Sequence, residues 1–294
     1  MQSNTRGKVS NRNRRSAMIA ATGLLFWVSA GISANAADKL NELLPERIRT
    51  AGEIHVASNS AYPPFAFKNE AGDASGLESA LIRAIAEKLG TKVKFTSIDF
   101  TSILPGVTAG RFDVGSGGFN NTEERRKVVE FVNYANAASG IIVRKGNATK
   151  VSVDAICGKT IAASEGSAQR ANLGKLSDKC KAAGKPAIEM PTLKGTPAMV
   201  VALKSERVEG VYIDKAVGNY LVSRDSTVEA VPGVVEDPEG NKVVMGILMN
   251  KGEMGLAKAL QAGLNAAVKD GTYAKILKEW NIPDELSLTE ATIN

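Results

Sequence analysis

Phe112-Asp113-Val114-Gly115-Ser116-Gly117-Gly118-Phe119-Asn120-Asn121-Thr122-Glu123-Glu124-Arg125 carries the first clue to the fold. Phe112-Asp113-Val114 reads as a strand that runs into a glycine-rich turn. Thr122 is a good helix N-cap, and Glu123 and Glu124 suit the positive start of the helix it opens. Arg125 breaks that local rule, because the first turn of a helix disfavours a cation. Rule-breaking at a strand-to-helix corner is where function is expected. The guanidinium either clamps a carboxylate through two parallel hydrogen bonds or is a solvated side chain paired with Glu124 or Glu130, and spacing alone leaves both readings open.

The same strand-then-helix pattern extends in both directions. Ile54-His55-Val56-Ala57 and Val93-Lys94-Phe95 read as strands on either side of a helix. Leu81, Ile82, Ile85, Ala86 and Leu89 recur at helical spacing, and Gly90 closes that helix. Leu104–Ala109 is helical. Downstream, Ile141–Val143, Lys159–Ala163, Gly210–Ile213 and Val243–Met249 read as strands. Helices are expected from about Ser167, over Met199–Leu203 and Ala216–Val222, along the Leu256/Leu260/Leu264/Val268 face, and over Tyr273–Trp280 before Pro283. Such alternation predicts an α/β protein of parallel sheets covered by helices. No low-complexity linker interrupts it, so any two halves are joined by strands.

Two further corners stand out. Glu165-Gly166-Ser167-Ala168 follows a strand and opens a helix whose N–H groups can hold an anion, although an ordinary turn has the same composition. Asp214 directly follows Val211-Tyr212-Ile213. A carboxylate at the carboxyl end of a buried strand faces the crevice where open α/β sheets take ligands, or it simply caps the next helix. Together with Arg125, these corners specify a ligand with one carboxylate and one ammonium. Tyr62 and Phe65 around Pro63-Pro64, and Phe100 after Asp99, add apolar walls or core packing.

The first residues read as an export signal. Arg6, Lys8, Arg12, Arg14 and Arg15 precede an apolar run, Ala17–Ile32, and then Ala34-Asn35-Ala36, so cleavage is expected after Ala36. The whole chain of 294 residues carries 37 Lys and Arg against 31 Asp and Glu, a net charge of +6. Five of those basic residues and no acidic ones lie in residues 1–36, which leaves 32 against 31 and no argument for nucleic acid. Cys157 and Cys180 are expected to form a disulfide in an oxidising compartment, the alternative being two buried thiols. One His and two Cys offer no metal-ligand cluster, and no metal or cofactor is expected.

The residues resemble a known family. Tyr62-Pro63-Pro64-Phe65, Gly76, Leu104-Pro105, Gly110-Arg111-Phe112-Asp113, Thr122-Glu123-Glu124-Arg125, Glu130-Phe131, Gly166-Ser167, Val211-Tyr212-Ile213-Asp214 and Asp270-Gly271-Thr272-Tyr273 recur in this order in family 3 extracellular solute-binding proteins. These are the amino-acid-binding components of ABC importers. The resemblance implies a periplasmic, monomeric two-lobe clamshell of type II, each lobe a mostly parallel sheet flanked by helices. Residues 1–36 would be the signal, 37–142 plus 244–294 one lobe and 143–243 the other. Two strands would cross near Gly140–Arg144 and Lys242–Gly246.

By the same resemblance, Arg125 and the Asn120 position hold the ligand α-carboxylate, with the Ser167-Ala168 turn reaching it from the second lobe. Asp214 and a carbonyl near Gly118 take the α-ammonium, and Tyr62 and Phe100 enclose the side chain. Asn59 stands where members that bind Lys, Arg or His, and some others, carry Asp. Gly117 and Gly118 leave little side-chain chemistry, and Ala168 offers only its N–H, so a polar or neutral amino acid is expected. The loaded protein would deliver it to the transporter's membrane subunits. The alternatives are a dehydratase acting on cyclic amino-acid precursors, which a few proteins of this fold are, and a binder of amino-acid-like solutes such as opines or ectoine.

Overall fold

A computed structural model describes residues 39–240 and 243–294. The signal-like segment 1–36 and its cleavage point lie outside the described residues, as does Lys242. In chain order come α1 (Glu46–Ala51), β1 (Glu53–Asn59), β2 (Ala61–Tyr62), β3 (Ala66–Lys68), β4 (Ala74–Ser75), α2 (Leu77–Lys88), β5 (Lys92–Ile98), α3 (Phe100–Thr108), β6 (Val114–Ser116) and the one-turn α4 (Glu123–Arg126). Then follow β7 (Val129–Ala137), β8 (Ser139–Arg144), β9 (Ile161–Ala162), α5 (Ala168–Ala182), α6 (Gly195–Lys204), β10 (Gly210–Asp214), α7 (Lys215–Arg224) and β11 (Val228–Ala230). The chain ends with β12 (Val243–Asn250), α8 (Met254–Lys269), α9 (Thr272–Glu279) and β13 (Thr292–Ile293).

The protein is a two-lobe α/β clamshell. One lobe holds a six-stranded sheet in the order β13-β7-β12-β6-β1-β5, and the other a four-stranded sheet in the order β11-β8-β10-β9. The expectation of mostly parallel sheets needs correcting. β1 pairs in parallel with β5 and β6, and β9 with β10, but β12 is antiparallel to both β6 and β7, and β8 to both β10 and β11. Parallel neighbours need a helical crossover. Here β7 runs straight on into β8 and the other lobe, and β12 returns against it, so these connecting strands pair antiparallel. β7 ends at Ala137 in the large sheet and β8 begins at Ser139 in the small one, where Ser139–Ile142 pair with β10 and Ile142–Arg144 with β11.

The sequence pattern translates into packing in α2. Gly76 precedes it at φ 109°, and a Cβ there would sit 2.4 Å from the Phe65 carbonyl oxygen, so only glycine fits. Leu77, Leu81, Ile82 and Ile85 are buried and pack with Leu256, Leu260 and Leu264 of α8. The strand expected at Phe112–Val114 is displaced to Val114–Ser116. Asp113 is occupied elsewhere: its Oδ2 accepts the His55 N–H at 2.7 Å, and its Oδ1 pairs with Arg47.

Cys157 and Cys180 are bonded, with their Cα atoms 5.6 Å apart. They tie the segment before β9 to α5 beside the small-lobe core of Ile141, Ile161, Leu173 and Ile188. The closed loop spans a sequence separation of 23. Loop-closure entropy then assigns the bond about 3 kcal/mol. The Cys157→Ser/Cys180→Ser variant is therefore expected to melt roughly 6–12 °C below the parent, on the scale for domains of this size. An unchanged melting temperature in differential scanning calorimetry would remove the bond from the stability account.

Candidate functional site

The carboxyl ends of β1, β6, β9 and β10 converge on a cavity between the lobes. Asn59, Tyr62, Phe100, Gly118, Asn120 and Arg125 line it from the large lobe. Ser164, Ser167, Ala168, Gln169, Thr196 and Met199 line it from the small one. Arg125 is the one charged residue among the described lining residues, and Asp214 lies just behind the wall at Ile213. Eight of the nine expected site residues line the cavity; the ninth, Asp214, does not, and touches it only through Tyr62, Asn120 and Gln169.

Arg125 does not take the solvated alternative. Glu124 pairs with Lys127 at 2.8 Å and Glu130 with Lys251 at 3.1 Å. The guanidinium instead donates Nη1 to the Asn120 carbonyl at 2.8 Å and Nη2 to the Gly166 carbonyl at 2.9 Å, the second bond crossing between lobes. It lies over the rings of Phe119 at 4.9 Å and Phe100 at 5.8 Å, which stack on each other with centroids 4.5 Å apart. Thr122 caps α4 as expected, accepting the Arg125 N–H at 3.3 Å, so the cap itself fixes where the arginine starts. Burial lowers the Arg125 pKa to about 10, and the group stays cationic at neutral pH.

Asp214 sits at the N-cap position of α7, yet its side chain makes no cap hydrogen bond. It turns inward and is 2% exposed. Gln169 donates Nε2 to Oδ1 at 2.8 Å, Asn120 approaches the same oxygen at 3.5 Å, and the Tyr62 hydroxyl donates to Oδ2 from the opposite lobe. Burial raises its pKa to about 6, the hydrogen bonds and Arg125 pulling the other way without cancelling it. Ser167 caps α5, its Oγ accepting the Arg170 N–H at 3.0 Å. The helix thus presents its unpaired first-turn N–H groups at the cavity.

Gly118 has φ 71°, and a Cβ on it would lie 2.5 Å from Tyr62 Cε1, so this glycine is what lets the tyrosine ring close over the turn. Behind the turn, the fully buried Glu78 accepts the Ser116 Oγ–H and the Gly118 N–H, each at 2.9 Å. Sequence reasoning missed Glu78, although an acid on the apolar face of α2, beside Leu77 and Leu81, was the available signal. It also missed Gln169, which bridges Asp214, Asn120 and Ser139. Its position directly after Ala168 was the only hint. Among the described residues, no group of three or more His, Cys, Asp or Glu could hold a metal, and no helix is long and apolar enough to cross a membrane.

The arginine-binding protein ArgT of Corynebacterium glutamicum is 28% identical over 265 residues, 87% of this chain and 83% of that one. An ancestral arginine-binding protein solved with arginine superposes with a TM-score of 0.69 at 33% identity, covering 78% of this chain and 98% of the other. The same kind of protein solved with glutamine gives 0.68 at 32% identity, covering 79% and 99%. An ancestral amino acid-binding protein described as a precursor of cyclohexadienyl dehydratase gives 0.67 at 26%, covering 82% and 99%. The profile of bacterial extracellular solute-binding proteins, family 3, matches residues 54–283. With most of its length inside that match and with this fold, the chain belongs to the family 3 bacterial extracellular solute-binding proteins.

Proposed function

We propose that the protein binds a free amino acid with a polar or neutral side chain in the cavity between the lobes and releases it to the membrane subunits of an ABC importer. One observation carries the reading. Arg125, from the β6–α4 corner, lines the cavity, and the Asp214 carboxylate, from the end of β10 in the opposite lobe, lies directly behind that lining and bonds to three of its residues, Tyr62, Asn120 and Gln169. That pair matches the two charges of a zwitterion. Arg125 has five N–H donors, of which two go to backbone carbonyls, and the rest suit a carboxylate. The Ser167-Ala168 turn and the Asn120 position add donors for the same group. Asp214 and the carbonyl at Gly118 take the ammonium, and Tyr62 and Phe100 wall the side chain. Among the described residues the cavity lining contains no carboxylate, and the Asp214 behind it is assigned to the ammonium, which disfavours a cationic side chain.

In this reading the lobes close about Ala138 and the start of β12, and a ligand that touches both lobes selects the closed state. Several charge-assisted hydrogen bonds, each worth roughly 1.5–3 kcal/mol, support affinity of about micromolar or tighter after ordering costs. The protein acts as a periplasmic monomer with neither cofactor nor catalytic step.

A thermal-shift screen of residues 37–294 against the protein amino acids, followed by calorimetry on each hit, tests this. At least one polar, uncharged amino acid should raise the melting temperature in a concentration-dependent way. No shift with any amino acid would end the proposal.

A further inference from the structure

Thr196 stands at the start of α6, lines the cavity and is 4% exposed. Its Oγ1 is buried and has no hydrogen-bond partner among the described residues. The polar groups around it are engaged. Ser164 Oγ accepts the Gly195 N–H at 3.1 Å, Ser167 Oγ donates to the Ser164 carbonyl at 2.7 Å, and Gln169 is held by Asp214 and Asn120. A buried hydroxyl without a partner is destabilising, and valine has nearly the same shape without that penalty. A threonine here therefore makes physical sense if the partner arrives with the ligand.

We propose that Thr196 is the residue that selects the ligand's side chain, its hydroxyl hydrogen-bonding an uncharged polar terminus, a carboxamide or a hydroxyl. This rests on the zwitterion reading above, in which Arg125 and Asp214 take the two charged ends and leave Thr196 for the side chain. Asn59, also on the lining, engages its Oδ1 with the Ala61 N–H at 3.2 Å, which leaves its NH₂ end as a second donor. Met199, three residues along α6 and on the same face, gives apolar cover for intervening methylenes. With no carboxylate in the lining among the described residues, a guanidinium or ammonium terminus is disfavoured.

The test is calorimetry on the parent, Thr196→Val and Thr196→Ser with two near-isosteric pairs, asparagine with leucine and threonine with valine, together with glutamine and arginine. The parent should favour the polar member of at least one pair by tenfold or more, or bind glutamine. Thr196→Val should weaken that polar ligand at least tenfold and leave the aliphatic members within about twofold. It should also raise the melting temperature of the ligand-free protein, which loss of a merely structural contact would lower. Thr196→Ser should keep most of the affinity and stands in should the valine variant fail to fold. Unchanged polar-to-aliphatic selectivity in Thr196→Val, or arginine as the parent's tightest ligand, overturns the assignment while leaving amino-acid binding in place. A parent that binds none of these ligands overturns both.

Discussion

Arg125→Ala is expected to abolish amino-acid binding, a loss of more than about a hundredfold in calorimetry, with circular dichroism unchanged. Truncating one partner of a buried charge contact removes its hydrogen bonds and leaves the opposing charge uncompensated, typically 2–5 kcal/mol or more. Arg125→Lys should fail nearly as badly. A lysine ammonium is a single point and cannot span the Asn120 and Gly166 carbonyls while presenting two parallel donors to a carboxylate. Affinity within fivefold of the parent for Arg125→Ala would strip the residue of its assigned role.

Asp214→Asn should move binding and stability in opposite directions. The folded protein raises this carboxyl from an ordinary value of 3.8 to about 6, chiefly through burial. Its ionisation therefore opposes folding. The cost is absent below about pH 3.8, grows as pH rises through the window between 3.8 and 6, and is complete above it. A shift of this size corresponds to a few kcal/mol at neutral pH, as an order of magnitude. Asparagine keeps an acceptor for Gln169 without the charge. The variant should melt higher than the parent at pH 7.5, with the gap narrowing toward pH 4, and should no longer bind a zwitterion. In the parent, affinity should fall about tenfold for each pH unit below 6, because the ammonium then meets a neutral acid. A flat affinity profile between pH 4.5 and 7.5 would show that Asp214 does not take the ammonium.

Much of the fold was legible because local signals agree with it. Gly76 and Gly90 bracket α2, whose apolar residues recur at helical spacing, and Thr122 and Ser167 cap the helices that begin at the site. The illegible parts have physical causes. β7 is buried along almost its whole length, so no alternation marks it. The small sheet of β2, β3 and β4 is built around two prolines, Pro63 and Pro64, which disguise its strands as a turn. Antiparallel pairing depends in the large sheet on where β12 returns and in the small sheet on where β8 enters, facts of topology that no local pattern encodes. At the site, the residues that break local rules, Arg125 and Asp214, were readable. Those that obey them were not: Thr196 is an ordinary residue at a helix start, and its importance lies only in what its oxygen fails to meet.

The placement of the one covalent cross-link has a consequence for motion. Both sulfur atoms belong to the stretch between β8 and β10, inside the smaller lobe. The bond is a rivet within one plate and not a bar across the gap. Reducing agents would soften that plate without freeing or jamming the pivot, so the opening and shutting of the jaws is insulated from the redox state of the surroundings.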